Sequence, residues 1–160
     1  MHLLRFLIPV VLIFSNRLMA EDSIQYTVMY FGATNCFHCL VEDHIENIKL
    51  IRSDFSGKYP KAKTKFVMVV FDNEIEAGLK FIDHYGFWDE ISIGSRYNNE
   101  QSLAVLNHTK LPGLPHLVVL EDHFTTLPNN IEVVDNRKTL VDLVGRKEIG
   151  DWVTKGFPLQ

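Results

Sequence analysis

Cysteine is scarce in this chain: two residues in 160, at positions 36 and 39. An exported domain held together by disulfides carries more of them, spread along its length. A bridge between residues three apart closes so small a loop that it constrains the unfolded chain little. Stability must therefore come from a core, and the pair is left for chemistry. The sequence also lacks internal repeats, low-complexity runs, a glycine-rich phosphate loop and a Ser–His–Asp set. Basic residues are neither abundant nor clustered. Sixteen Lys and Arg stand against twenty Asp and Glu, a net charge of -4. The richest basic stretch, 58–65, falls between two expected elements and reads as a solvated loop. This balance argues against a nucleic-acid partner. The remaining composition, 46% hydrophobic and 22% charged, is that of an ordinary folded chain, and the length suits one domain.

The first twenty residues differ in kind. His2 and Arg5 make a weakly basic start, residues 6–14 form an apolar run, and Leu18-Met19-Ala20 offers residues that a signal peptidase tolerates. This is the layout of a secretory signal. The run is too short to cross a bilayer, which takes about 20 residues. No cysteine follows the expected cut, which argues against a lipoprotein. The organisation expected is a signal peptide over 1–20 and a single domain over 21–160, placed in the periplasm or secreted.

Patterning gives a coarse trace. A strand is expected over 24–31, ended by Gly32. A helix follows, with Leu40, Val41, His44, Ile45, Ile48, Ile51 and Phe55 on one face. Thr34 or Asn35 would cap its start, and Gly57 and Pro60 would stop it. The run 65–71 reads as a strand covered on both faces. Residues 74–85 read as a helix with Ile75, Leu79 and Ile82 inward, and 86–98 as loop. A short helix over 99–107 would pack through Leu103 and Leu106. Leu111-Pro112-Gly113-Leu114-Pro115 then precedes a strand over 116–120. A loop over 121–130, a strand within 131–144 and a closing helix over 147–155 complete the chain. The order is βαβα, a helical insertion, then ββα. It implies an α/β fold with a mixed central sheet and helices on both faces.

The motif that carries chemistry is Cys36-Phe37-His38-Cys39. On this trace Cys36 stands where a strand ends and a helix begins. Unpaired N–H groups and the positive end of a helix dipole stabilise an anion there. A thiol so placed loses its proton more easily, and the thiolate is the nucleophile. Cys36 would attack a substrate disulfide and Cys39 would resolve the mixed disulfide; the reverse order oxidises a dithiol. His38 would stabilise the Cys36 thiolate and make the couple more oxidising. Phe37 would offer a flat contact to a substrate chain. No added cofactor is needed, because the disulfide itself carries the electrons.

The strand, the segment Phe31-Gly32-Ala33-Thr34-Asn35-Cys36-Phe37-His38-Cys39, the amphipathic helix and a later Leu114-Pro115 before an apolar strand together resemble the thioredoxin superfamily, over residues 24–155. The resemblance implies a thioredoxin fold and a thiol–disulfide oxidoreductase with Cys36 and Cys39 as catalytic residues. It implies a cis bond at Leu114-Pro115, facing the redox pair, with residue 114 pairing to an extended substrate; Pro112 is the lesser candidate. The long stretch with an extra helix before Pro115 is similar to the exported TlpA/ResA-like branch. The His in the dipeptide resembles DsbA and the protein disulfide isomerases. These two likenesses point to opposite directions of electron flow. Two positions depart from the family pattern. Asn35 replaces a common aromatic. Tyr30 stands where cytosolic thioredoxins carry a buried acid that assists proton transfer from the second Cys.

Two other readings belong to different classes. Cys36, Cys39, His38, His44 and His116 are soft ligands for Cu(I) or zinc, as in a periplasmic metal-binding protein of the same fold. The spacing of His44 puts it on the apolar helix face, as a core residue. His116, just after Pro115, either contacts the site or points away along its strand. No second ligand pair is spaced for a structural zinc site, so no metal ligand is assigned. A non-catalytic binding module is the third reading, which retention of both cysteines and the proline disfavours. The partners expected are protein thiols and disulfides and a membrane or periplasmic redox partner, with the chain itself a monomer.

Overall fold

A computed structural model of the chain describes residues 23–109 and 113–159. The expected signal over 1–20 and Pro112 lie outside the described residues. Among the described residues, no helix is long and apolar enough to cross a membrane.

Five strands form one sheet in the order β3-β2-β1-β4-β5: β1 (Ser23–Gly32), β2 (Lys63–Val70), β3 (Glu90–Ile93), β4 (His116–Thr126) and β5 (Glu132–Val144). β1 lies at the centre, parallel to β2 and antiparallel to β4. Strand side chains alternate between faces, and β1 shows the consequence. Val28 and Tyr30 enter one apolar cluster while Met29 and Phe31 enter the other. Both faces are covered, which is why β1 and β2 read as nearly unbroken apolar runs. The first cluster takes Ile48, Ile51 and Phe55 from α1 (Glu42–Lys58), Phe81 and Ile82 from α2 (Ile75–Asp83), and Ile149, Trp152 and Val153 from α4 (Arg146–Thr154). The second takes Val105 from the short helix α3 (Glu100–Val105). A βαβ unit joined through an inserted helix to a ββα unit, with sheet order 2-1-4-5 at its heart and β3 added at one edge, is a thioredoxin fold.

Several expectations are corrected. The helix does not start at the cysteines. Residues Phe37–Cys39 make one 3-10 turn, and α1 begins only at Glu42, after a break at Leu40 and Val41. Thr34 caps nothing; its N–H and hydroxyl both bond to the Asp72 carboxylate. In α2, Ile82 is buried as expected, but Ile75 and Leu79 are exposed, and Gly78 and Phe81 are buried in their place. Gly78 has no Cβ, so the helix lies close on Ile93 with the glycine side inward. Leu103 is likewise exposed, and Ser102 and Val105 face inward, because α3 ends at Val105 and tightens into a 3-10 turn over Leu106–His108.

The loop expected over 86–98 contains β3, which pairs in parallel with Val67 to Val70. The loop expected from 121 is strand as far as Thr126. Asp122, inside that expected loop, is fully buried, accepting hydrogen bonds from Thr27 Oγ1 at 2.9 Å and from Arg137 at 2.6 and 3.0 Å. Those three donors offset the cost of burying the carboxylate in the sheet.

Candidate active site

β1 ends at Gly32, and the chain turns at once into the 3-10 turn that carries the cysteines. Cys36 and Cys39 are joined by a disulfide, with Cα atoms 5.3 Å apart. The two sulfurs are not equivalent in access. Cys36 is partly exposed, and Cys39 is fully buried in the first apolar cluster. The Cys39 N–H lies 3.2 Å from the Cys36 sulfur and 3.0 Å from the Cys36 carbonyl oxygen. This revises the expected source of anion stabilisation at Cys36. The local donor is one N–H of a short turn, and the α1 terminus begins six residues later.

Phe37 and His38 both point outward. Phe37 is 78% exposed, and its ring meets the His38 ring edge-on at 5.5 Å. Beside them lies a cavity of about 550 Å³. Cys36 stands at its rim, and Phe71, Leu114 and Leu106, Asn107 and Ser102 of the inserted helical segment line it. The Leu114–Pro115 peptide bond is cis. Pro115 is buried and its carbonyl oxygen accepts from the Gly145 N–H at 2.7 Å.

His116 follows that proline but does not turn to the sulfurs. It is fully buried on the opposite sheet face, its ring against Phe31, and its Nε2 donates to Asp142 Oδ1 at 2.6 Å. His44 is a core residue, as its position on the helix face implies. Among the described residues, no group of three or more His, Cys, Asp or Glu side chains is placed to hold a metal ion.

Sequence reasoning missed one residue beneath the pair. Tyr85, two positions past α2, is fully buried and donates its hydroxyl to the carbonyl oxygen of Cys39. Its own oxygen lies 3.0 Å from that of Tyr30, which lies 3.0 Å from His44 Nε2. Burial pushes the Tyr85 phenol up to about 12 and raises Tyr30 well above the ordinary value, with the nearby Tyr85 adding to the effect. Burial lowers His44 to about 4, and Arg146 and His38 act in the same direction while Asp43 opposes. All three groups are therefore uncharged at neutral pH. The signal for Tyr85 was its three- and four-residue spacing from Phe81 and Ile82, which continues the buried stripe of α2.

No family model matches the chain, and no curated protein matches it. Among solved structures, the chain is similar to the thioredoxin domain of a thiol-disulfide oxidoreductase from Bacteroides vulgatus, at 15% identity over 84% of this chain and 80% of that one, with a TM-score of 0.44. It is similar to MTB dsbF in its mixed oxidized and reduced forms, at 16% identity over 82% of this chain and 80% of that one, TM-score 0.44. It is also similar to yeast Sco1 with copper bound, at 13% identity over 82% and 75% of the two chains, TM-score 0.41.

Proposed function

We propose that this chain is an exported thiol–disulfide oxidoreductase that exchanges disulfides with protein substrates through Cys36 and Cys39. The observation that carries the reading is the unequal access of the two bonded sulfurs. An incoming thiolate can meet Cys36 at the rim of the cavity, while Cys39 is shut inside the core. In the oxidising direction a substrate thiolate attacks the Cys36 sulfur. The Cys36–Cys39 bond breaks and Cys39 leaves as the thiolate. A second substrate thiolate then displaces Cys36 from the mixed disulfide. The substrate gains a disulfide, and the protein keeps two electrons as its dithiol. In the reducing direction the same steps run backwards. Direction follows from the potential of the pair against its redox partner.

The surroundings have roles that fit this chemistry. Leu114, at the cis bond beside the cavity, presents backbone to an extended substrate segment. Phe37 supplies an apolar contact at the rim, and His38 favours the Cys36 thiolate by charge or hydrogen bonding. Export rests on the apolar N-terminal segment over 1–20.

The test is an insulin-reduction assay paired with a dithiol-oxidation assay on the full chain. Cys36→Ser is expected to abolish both activities, and Cys39→Ser to accumulate mixed disulfides with substrate. Activity that persists in the double Cys→Ser variant overturns the reading.

A further inference from the structure

Cys39 stands just before a break in the helical run. The turn over Phe37–Cys39 has ended and α1 starts only at Glu42, so among the described residues no backbone N–H takes the Cys39 carbonyl oxygen. A buried carbonyl left without a donor is costly. Tyr85 supplies the missing donor from the far end of α2.

The protons of the network can be placed by counting. A carbonyl oxygen only accepts, so the single hydroxyl proton of Tyr85 is committed to Cys39. The 3.0 Å bond between the two phenols is then donated by Tyr30. With the Tyr30 proton spent, the bond between Tyr30 and His44 Nε2 needs its hydrogen on the imidazole. His44 is thereby the neutral Nε2–H tautomer, and its buried Nδ1, which has no hydrogen-bond partner among the described residues, is a bare lone pair. The chain of donors runs one way: His44 to Tyr30 to Tyr85 to the Cys39 carbonyl.

We propose that His44, Tyr30 and Tyr85 are positioning residues that hold Cys39 for its attack on Cys36, the step that resolves a mixed disulfide. This rests on the thiol–disulfide reading above. The three side chains come from α1, β1 and the end of α2, so the network ties three elements together beneath the pair. Tyr85 is also held from its backbone side. Its carbonyl oxygen accepts from Arg52 Nη1 at 3.0 Å, and that guanidinium lies over the Trp88 ring at 5.0 Å. In the disulfide form the covalent bond fixes the sulfurs. During turnover Cys36 is bonded to substrate instead, and the placement of Cys39 depends on its turn and on the Tyr85 hydroxyl. The step it must make is simple in balance. Cys39, its proton released to solvent base, attacks the Cys36 sulfur as thiolate. The Cys36–Cys39 bond forms, the bond from Cys36 to substrate breaks, and the substrate sulfur leaves with the electron pair.

The experiment separates the two chemical steps in the full chain, using a chromogenic aryl disulfide as the probe. Attack by Cys36 is timed in the Cys39→Ser background, with and without Tyr85→Phe. Resolution is timed by release of the second thiolate with Cys39 intact. Removing the hydroxyl is expected to slow resolution about tenfold while attack stays within about twofold. Tyr30→Phe keeps the bond from Tyr85 to Cys39 and is expected to slow resolution by less, about two- to threefold; it also serves if Tyr85→Phe fails to fold. Nitrogen-15 NMR at neutral pH is expected to find His44 protonated at Nε2 alone. Resolution unchanged in the folded variants, equal slowing of both steps, or hydrogen on Nδ1 overturns the proposal. A wild-type protein that exchanges no disulfide overturns the functional reading itself. An active wild type with unaltered Tyr85→Phe overturns only this inference.

Discussion

The imidazole Nε2 of His44 and the hydroxyl oxygen of Tyr30 are hydrogen-bonded across 3.0 Å, and neither ring reaches solvent. This buried pair makes stability depend on pH. Burial lowers His44 from its ordinary 6.5 to about 4 in the folded protein. As pH falls below about 6.5 the unfolded chain binds a proton that the folded chain refuses until about pH 4, so the unfolded state gains. Stability from this residue is full above about 6.5 and is lost between there and about 4. At pH 4.5 the loss relative to pH 7 is roughly 2 to 3 kcal/mol. Urea denaturation at the two pH values measures it. His44→Gln, which cannot titrate, is expected to lose that much less on acidification. Equal losses in the two proteins would count against a neutral buried imidazole.

Arg137 reaches Asp122 from the exposed strand β5, with bonds of 2.6 and 3.0 Å to its two carboxylate oxygens. Asp122 is 1% exposed, and its other donor is the Thr27 hydroxyl. Arg137→Ala leaves a buried carboxylate with one neutral donor. It is expected to destabilise the protein by about 2 to 4 kcal/mol at pH 7, toward the lower end because Arg137 is itself partly solvated. A shift in the denaturation midpoint worth under about 0.5 kcal/mol, the scale of an ordinary surface change, would show that the carboxylate does not rely on this partner.

Gly32 closes β1 just ahead of the redox turn. A Cβ there would stand 2.6 Å from Phe81 Cζ and 3.1 Å from Tyr30 Cε1. Two buried rings cannot both give way, so Gly32→Ala is expected to cost about 1 to 3 kcal/mol by overpacking. Because Tyr30 is one of the crowded rings, the variant also tests whether the network beneath Cys39 tolerates displacement. Thermal melting with near-ultraviolet circular dichroism reads both effects. A wild-type melting temperature would contradict the close packing.

Phe37 combines 78% exposure with a place at the rim of the cavity beside Cys36. Its ring contact is with His38, another exposed residue. Phe37→Ala is expected to leave folding stability within about 0.5 kcal/mol. If the ring meets substrate, KM for a protein disulfide rises several-fold, while the reaction of Cys36 with a small aryl disulfide keeps its rate. Equal effects on large and small substrates would remove Phe37 from substrate contact.

What the sequence determined by itself is local. Consecutive apolar residues place β1 and β2 in the interior, and the three- and four-residue recurrence of His44, Ile48, Ile51 and Phe55 marks the inner face of α1. The two cysteines three apart, and Leu114-Pro115 ahead of β4, can likewise be pointed to without coordinates. Periodicity reports which side of an element is covered, because side-chain direction is set by the backbone within a few residues. It does not report what covers a polar group. Asp122 looked like a loop residue because its donor Thr27 lies 95 positions away. β3 is a strand only because β2 stands beside it. α1 starts only at Glu42, and the Cys39 carbonyl ahead of it finds its donor in Tyr85, from elsewhere in the fold. The opening pair belongs to the same class. The helix face puts His44 in the core, but only the tertiary structure brings it to Tyr30, and Tyr85 to a carbonyl 46 residues back in the chain. Buried polar atoms must find partners wherever the fold supplies them, and those partners are set by packing over long separations rather than by neighbours in sequence.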